Sequence, residues 1–254
     1  MPQNFGNAYG VFFMRKNAVF ITGGAQRIGK GLVLGLVAKG FPIILHYWQS
    51  EEKAQELAQE IQSQGGQCTL FQADFSDSFQ LERRLKESFP SLPPCSTLIN
   101  NASIFEAAPF LETDAQLLNQ HFQVNFTAPF LLTQAFARHC SGKGSVINLI
   151  DTRVHRIDQE YFAYTLSKKL LFDLTKMAAS SLAPEIRVNG ICPGLILPPK
   201  SKDISYLEEK SQKIPLRTHG SIEDIFQAVE FFMNNSFVTG ECLCLDGGEH
   251  LGPS

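Results

Sequence analysis

Residues 18–31 read AVFITGGAQRIGKG, a short apolar run that passes through a glycine turn into a helical pattern. The apolar run predicts a buried strand over 18–22, and the following pattern predicts a helix over 28–38 that ends at Gly40. Gly23 suits a tight turn, and Gly29 allows the helix to lie close to the strand. A helix N-terminus at such a turn can bind a pyrophosphate through its N–H groups and its dipole. The stretch therefore predicts a dinucleotide site, with a purely structural turn as the alternative.

The rest of the 254-residue chain repeats this alternation of strand-like and helix-like runs. Further strands are predicted at 42–47, 68–73, 96–102, 144–150, 186–192 and 242–246. Helices are predicted at 50–64, 78–88, 114–138, 160–182 and 222–233. The pattern predicts an α/β fold with one doubly wound Rossmann-type domain over 1–254, built on a seven-stranded parallel sheet with helices on both faces. Ligands of such sheets bind beyond the carboxyl ends of the strands.

Two segments fall outside the repeating pattern. Residues 1–14 are predicted to be a flexible extension. Residues 193–220 are a polar, proline-containing stretch, and we expect residues 194–220 to close over a substrate. Four lysines lie in that stretch, at positions 200, 202, 210 and 213. A solvated loop without a binding role is the alternative for each of them.

Composition excludes several classes of protein. Hydrophobic residues make up 44%, charged residues 19%, and the net charge is −3, so no basic surface for nucleic acid or a membrane is expected. No run approaches the ~20 apolar residues of a membrane helix. The six cysteines are scattered, and Cys242 with Cys244 form only an incomplete metal site, so we expect no metal and a reducing cytoplasmic location.

The loop after the second predicted strand bears on the choice of nicotinamide cofactor. An acid in this loop commonly binds the ribose 2′-OH of NAD. The loop here reads HYWQS over 46–50, and the next carboxylate is Glu51. With Arg27 nearby, the loop favours the 2′-phosphate of NADPH or NADP+. Asp74, after the third strand, can bind the adenine amine or cap a helix.

Tyr164 and Lys168 are candidates for the reaction centre. They stand four residues apart and therefore share one face of the helix that follows the fifth strand. An ammonium group near a phenol is expected to lower its pKa. The pair can then donate a proton while a nicotinamide supplies a hydride. A surface pair without function is the alternative.

In combination these motifs resemble the short-chain dehydrogenase/reductase family from Phe20 onward. The resemblance rests on the glycine turn, the Tyr-x-x-x-Lys motif, Asn125, Asn-Asn-Ala-Ser at 100–103, Pro-Gly at 193–194 and Asp-Gly-Gly at 246–248. It implies that Tyr164 is the acid, that Lys168 lowers its pKa and contacts the nicotinamide ribose, and that Asn125 holds a water in a proton relay. Members of the family usually form dimers or tetramers, and a homotetramer is expected.

Asp151 is a departure from the usual family pattern. Most members have a serine at this position, 13 residues before the tyrosine, which donates to a substrate carbonyl. A carboxylate only accepts hydrogen bonds and repels an oxyanion, so it suits a substrate with N–H groups or a C=N bond. Thr152 could replace the serine, which would instead fit a ketone.

Asp151, Arg27 and Phe105, together with the HYxxS and Pro-Gly-Leu motifs, resemble the pteridine reductase subgroup. The subgroup implies that Phe105 stacks a pterin against the nicotinamide and that Arg27 reaches both pterin and phosphate. Gln49 departs from the arginine that is common in the subgroup. The predicted substrate-binding residues are Arg27, Ser103, Phe105, Asp151, Tyr164 and Leu195. The predicted cofactor-binding residues are Gly23, Arg27, Ile28, Gly29, Tyr47, Trp48, Gln49, Ser50, Asp74, Phe75, Asn101, Ala102, Ser103, Tyr164, Lys168, Pro193, Gly194 and Leu195.

The expected reaction is hydride transfer from NADPH to a dihydropterin C=N, with dihydromonapterin, dihydrobiopterin or dihydrofolate as substrate. Nitrogen would be protonated through Tyr164, Asp151 or water. One alternative is a carbonyl reductase, such as a 3-oxoacyl or sugar-ketone reductase, that uses Thr152. Another is a regulatory protein that binds NADP(H) without turnover.

Overall fold

The computed structural model describes residues 16–199 and 202–252. The predicted extension over 1–14 and the lysine at position 200 lie outside these residues. The strands are β1 Ala18–Ile21, β2 Ile43–Tyr47, β3 Cys68–Gln72, β4 Cys95–Asn100, β5 Gly144–Leu149, β6 Ile186–Pro193 and β7 Cys242–Leu245. The helices are α1 Arg27–Ala38, α2 Glu51–Ser63, α3 Ser78–Ser88, α4 Ala115–Phe122, α5 Ala128–His139, α6 Phe162–Leu182, α7 Ser205–Ser211 and α8 Ile222–Asn234.

The seven strands form one parallel sheet in the order β3-β2-β1-β4-β5-β6-β7. The order reverses at β1, so the ends of β1 and β4 open a crevice between the two halves of the sheet. The predicted fold class is confirmed. All the carboxyl ends lie along one edge of the sheet, and the loops that leave this edge hold the candidate residues.

Alternation along the strands divides the core into two layers. In β1, Val19 faces the layer that contains α1, α2 and α8, whereas Phe20 faces the layer that contains α3, α5 and α6. Both side chains are fully buried. Helices therefore cover both faces of the sheet, which explains why the strands are nearly continuous apolar runs. Within the described ranges, none of the helices has the length and apolar character needed to cross a bilayer.

The helical stretch predicted over 114–138 is present without a break over 115–139, but the π turn inside it was not predicted. The structure has α4 and α5, separated by a π-helical turn over Gln123–Thr127 that contains the buried Asn125. Pro129 lies four residues after Asn125 and has no N–H to donate to the Asn125 carbonyl. The regular hydrogen-bond pattern therefore cannot pass through this point, and π turns of this kind are frequent at functional sites.

The polar stretch over 193–220 includes a helix that was not among the predicted helices. It contains the short helix α7, whose Leu207 is buried. This helix was not predicted because its seven residues cover only about two turns. That length is too short for a helical spacing of apolar residues to be visible in the sequence.

Candidate active site

The glycine turn between β1 and α1 has the geometry that a phosphate cradle requires. Gly23 has a φ of +61°, a conformation that favours glycine. A Cβ atom at Gly29 would overlap the carbonyl oxygen of Gly23 and approach the Asn101 side-chain nitrogen to 2.8 Å. Only glycine at position 29 therefore permits this contact between the first turn of α1 and the loop.

Arg27 has a φ of +53°, in the left-handed region that favours glycine. Its side chain is exposed, and Nη2 donates to the carbonyl oxygen of Pro198 at 2.9 Å. The cation thus connects the glycine turn to the segment after β6 and lies at the mouth of the cleft.

Thr22 and Asn101 hold the ends of β1 and β4 together. The Thr22 hydroxyl oxygen accepts from the backbone N–H groups of Asn101 and Ala102, both at 2.9 Å. The Asn101 amide nitrogen donates to the carbonyl oxygens of Thr22 at 2.8 Å and Gly23 at 3.1 Å. Thr22 was not among the predicted site residues, although its place at the end of β1 was the available signal.

His46 is a second residue that the predicted site omitted. The ring lies at the end of β2, where Nδ1 accepts from the Gly23 N–H at 3.1 Å and Nε2 contacts the Ala73 carbonyl oxygen at 3.0 Å. It also stacks on Phe75 at 4.0 Å between centroids. These contacts require a neutral ring with its proton on Nε2. His46 therefore links the glycine turn to the ends of β2 and β3.

The burial of His46 predicts a loss of stability in acid. Burial lowers the pKa of His46 to about 4 from 6.5. Between these values the unfolded chain binds a proton that the folded chain excludes, so the free energy of unfolding falls as the pH drops from 6.5 towards 4. We expect this residue alone to remove about 2 kcal/mol between pH 7 and pH 5.

Urea unfolding at the two pH values measures this effect. His46→Gln keeps an acceptor and a donor but does not titrate, so its loss of stability between pH 7 and 5 should be smaller by that amount. An equal loss in both proteins would contradict the assignment.

The predicted residues at the end of β2 and in the loop after β3 differ in burial, and one of the two alternatives for Asp74 is ruled out. Tyr47 and Phe75 are buried, whereas Trp48 and Gln49 are exposed. Ser50 occupies the N-cap position of α2, but its side chain makes no capping hydrogen bond. Asp74 is not a helix cap either, because its Oδ1 accepts from the Ser76 N–H at 2.8 Å and Asp77 caps α3.

Tyr164 donates its hydroxyl hydrogen to Asp151. The distance from Tyr164 Oη to Asp151 Oδ2 is 2.7 Å, and Asp151 Oδ1 accepts from the Arg153 N–H at 2.8 Å. Burial, followed by the charge of Asp151, raises the pKa of Tyr164 well above 10. The pKa of this phenol is therefore raised overall, and the lowering by Lys168 stays a prediction. The geometry makes Tyr164 a proton donor whose proton is oriented towards a carboxylate.

Lys168 lies behind Tyr164 on α6. Its Nζ donates to the carbonyl oxygen of Leu149 at 2.8 Å and lies 5.8 Å from the centroid of the Tyr164 ring. Burial lowers the pKa of Lys168 to about 8. The ammonium is thus turned towards the carbonyl group at the end of β5.

Thr152 lines the cleft, but its hydroxyl group is occupied by a partner outside the substrate position. The hydroxyl donates to Asp246 Oδ2, and the residue is buried. Asp246 also accepts from backbone N–H groups of the turn after β7. The alternative in which Thr152 replaces the family serine therefore lacks a free donor in the described structure.

Phe105 forms one layer of an aromatic stack at the cleft entrance. Its ring is half-exposed, lies parallel to Tyr161 at 4.3 Å and meets the edge of Tyr164 at 4.6 Å. The Arg153 guanidinium lies 4.7 Å from the centroid of Tyr161 and forms an ion pair with Asp158. A ring fixed in this way presents a flat apolar surface beside the tyrosine that donates the proton.

Asn125 connects the loop that carries Phe105 to α6. Its Oδ1 accepts from Ser103 Oγ at 3.0 Å and from the Ile104 N–H at 2.9 Å. Its Nδ2 donates to the Ile104 carbonyl oxygen and to Ser167 Oγ, both at 3.0 Å. The side chain therefore positions both walls of the cleft, and the water relay stays a prediction.

These residues converge on a cleft of about 310 Å³. It brings together predicted residues from five loops or helix starts that are far apart in sequence. The predicted residues that line it are Arg27, Ile28, Asn101, Ser103, Phe105, Asp151, Tyr164, Lys168, Pro193, Gly194 and Leu195. Arg153, Arg156, Tyr206 and Glu249 also line the cleft and were not predicted. The remaining predicted cofactor residues lie outside this cleft, and most of them flank the end of β2.

Comparison with known proteins identifies the group to which this arrangement belongs. A family model described as enoyl-(acyl carrier protein) reductase matches residues 23–250 of this chain. Dihydromonapterin reductase from Shigella boydii is 31% identical over 237 residues, which cover 92% of this chain and 96% of that protein. The chain belongs to the short-chain dehydrogenase/reductase family. Within that family its relatives support the predicted pteridine reductase-like subgroup.

Solved structures of short-chain reductases have the same fold. FolM alternative dihydrofolate reductase 1 from Brucella suis, in complex with NADP, has a TM-score of 0.88 and 34% identity, covering 94% of this chain and 96% of that chain. The Brucella canis protein, also complexed with NADP, has a TM-score of 0.86 and 34% identity, covering 93% and 95%. The agreement therefore extends over more than nine-tenths of each chain.

Proposed function

We propose that the protein is an NADPH-dependent reductase that transfers hydride to the C=N bond of a dihydropterin, with dihydromonapterin, dihydrobiopterin and dihydrofolate as candidate substrates. The hydrogen bond from Tyr164 to Asp151 carries the proposal. This bond places the phenol, a proton donor, beside a carboxylate. A ketone reductase needs a second hydrogen-bond donor to the substrate carbonyl at the position that this carboxylate occupies. The similar proteins named above support the same substrate class.

The turn after β1 fits a dinucleotide. Gly23 and Gly29 leave a backbone cradle that a Cβ atom would fill, and α1 begins directly behind it. The end of β2 lacks a carboxylate that would exclude a 2′-phosphate, and the Ser50 hydroxyl and Arg27 are available to bind it. We propose that these residues hold NADPH, which supplies the hydride when bound.

The chain's own residues then handle the proton and the substrate ring. A carboxylate at Asp151 attracts N–H groups and the positive charge that develops on a nitrogen as it is protonated. Tyr164 can pass its proton to that nitrogen directly or through water, and Asp151 keeps the phenol proton oriented until then. Lys168 is held by Leu149 where it can donate to a ribose hydroxyl.

The segment over 194–220 is proposed to cover the substrate. The hydrogen bond from Arg27 to Pro198 connects the segment to the glycine turn, and Tyr206 of α7 lines the cleft.

We also propose that the chain forms one functional domain, assembles as a homotetramer and is located in the cytoplasm. Six free cysteines are consistent with a reducing compartment.

Phe105→Ala tests the stacking role. Loss of the flat ring removes an aromatic contact worth about 1 kcal/mol and its apolar area, so KM for the pterin should rise about tenfold. KM for NADPH should change less than about twofold. Steady-state kinetics with each substrate varied in turn measures both values.

Phe110→Ala is the matched control for this prediction. Phe110 is an exposed ring in the same loop that packs edge-on against Phe162 and does not line the cleft. A similar rise in KM for the pterin in both variants would contradict a stacking role for Phe105.

The assay that tests the proposed function follows NADPH oxidation with three dihydropterins and with an acetoacetyl thioester. We expect turnover with at least one pterin, slow or absent turnover with the thioester, and a preference for NADPH over NADH of at least about tenfold. Efficient thioester reduction without pterin turnover would overturn the proposal. Binding of NADPH without turnover of any substrate would favour a regulatory protein.

A further inference from the structure

We propose that Cys244, Asp246, His250 and His155 form a zinc-binding site behind the cleft. The ligand atoms of Cys244, Asp246 and His250 all lie within 4.8 Å of one another. Three residues of different ligand type thus converge at the end of β7 and the turn after it. The reductase chemistry uses none of their side chains, so the proposal is independent of the proposed function.

His155 is the candidate for the fourth ligand from another part of the fold; it lies outside the group of atoms that are all within 4.8 Å of one another, so its ring would have to turn towards Asp246 and His250 when an ion binds. Its Nε2 lies 3.3 Å from Cys244 Sγ, although the two residues are 89 positions apart. Sulfur and nitrogen ligands of a tetrahedral zinc ion are about 3.5 Å apart, given their usual bond lengths. The His155 ring centroid is 5.8 Å from that of His250, which is close enough for a turn of the His155 ring to bring both imidazoles to one ion. His155 is exposed, which leaves a path for an ion to enter.

The carboxylate of Asp246 is already oriented by other groups. Its side chain is almost fully buried, and the Thr152 hydroxyl and the backbone N–H groups of Gly248 and His250 donate to it. Metal-binding carboxylates are typically fixed in this way by surrounding donors. The His250 Nδ1 atom lies 2.9 Å from Asp246 Oδ2, and a bound ion would replace this direct contact.

The ligand set selects the kind of metal. One thiolate, two neutral imidazoles and one carboxylate suit zinc, whereas magnesium and calcium prefer oxygen ligands alone. Binding releases the Cys244 thiol proton to solvent, because the thiolate is the ligand. Four protein ligands would fill the coordination sphere, so the ion would have a structural role and would join the turn at 152–155 to the turn after β7.

Cobalt and zinc titrations of tag-free, metal-stripped protein test the site. The wild type should bind one Co²⁺ per chain, with a thiolate-to-cobalt charge-transfer band and the visible bands of tetrahedral coordination, and Zn²⁺ should displace it. Cys244→Ser should weaken binding by more than about 100-fold, because loss of a ligand exceeds the effect of losing a surrounding donor. Cys242→Ser is the matched control, since Cys242 lies on the same strand and outside the cluster.

His155→Ala keeps the test valid if Cys244→Ser does not fold. An exposed side chain can be removed with little effect on the fold, and this change should still weaken Co²⁺ binding at least about tenfold and alter the visible bands. Zn²⁺ should raise the Tm of the wild type and of Cys242→Ser more than that of His155→Ala. Absence of the charge-transfer band in the wild type, or its loss only in Cys242→Ser, would overturn the proposal.

Discussion

Tyr164→Phe should lower kcat for pterin reduction by about 100- to 10,000-fold, the usual contribution of a positioned proton donor. The variant keeps the ring and its edge contact with Phe105 but removes the hydroxyl that donates to Asp151. NADPH affinity should stay within about threefold of the wild-type value, because the cradle at β1 is untouched. Single-turnover measurements at saturating NADPH, with fluorescence titration of NADPH, separate the two effects.

Tyr161→Phe is the control for the neighbouring phenol. Tyr161 stacks on Phe105 and lies one helical turn before Tyr164, so its ring is needed but its hydroxyl has no proposed part in proton transfer. This variant should retain kcat within about threefold. A larger loss of kcat in Tyr161→Phe than in Tyr164→Phe would show that Tyr161 is the proton donor. The proposed role of Tyr164 would then be rejected.

Asp151→Ser should lower kcat/KM for a dihydropterin by more than about 100-fold, and it should raise the slow reduction of a ketone. The change replaces a carboxylate, which attracts a protonated nitrogen, with a hydroxyl that donates to an oxyanion. Measurements of kcat/KM for both substrate classes report the loss of transition-state stabilisation directly. Wild-type pterin activity in this variant would contradict the role of Asp151 and restore the carbonyl alternative.

Asp151→Asn separates charge from shape. Asparagine is close to aspartate in size and can accept from Tyr164 or from the Arg153 N–H, but it carries no charge. If the charge attracts the developing cation, Asp151→Asn should lose nearly as much pterin activity as Asp151→Ser. If the hydrogen bond to Tyr164 alone matters, Asp151→Asn should retain most of it, and the electrostatic argument would be wrong.

The strands and the reaction centre could be predicted because their signals are local. Apolar runs bounded by glycine or polar residues gave each strand, and the four-residue spacing placed Tyr164 with Lys168 on one helical face. The interruption at Asn125 was missed although Pro129 was a usable signal, since the surrounding sequence has a continuous helical period. The pKa of Tyr164 could not be predicted, because it depends on burial and on the distances to Asp151 and Lys168.

The roles of His46 and Thr152 depend on contacts between distant segments. A histidine at the end of an apolar strand does not indicate whether it faces the glycine turn, and the sheet order decides this. Thr152 looked available because its partner Asp246 is 94 residues away. The cluster around Cys244 was hidden for the same reason, since β7 and the turn at 152–155 meet only in the folded sheet.

Arg27 shows that this fold is not at its stability optimum. A non-glycine residue in the left-handed region costs about 1 kcal/mol, and the chain bears this strain at the turn that is proposed to hold the cofactor. Arg27→Gly should therefore relieve strain while it removes the cation that contacts Pro198 and faces the cleft. A search for thermostable variants would select this change, and it would enrich for molecules that survive heating but bind pterin and NADPH less well.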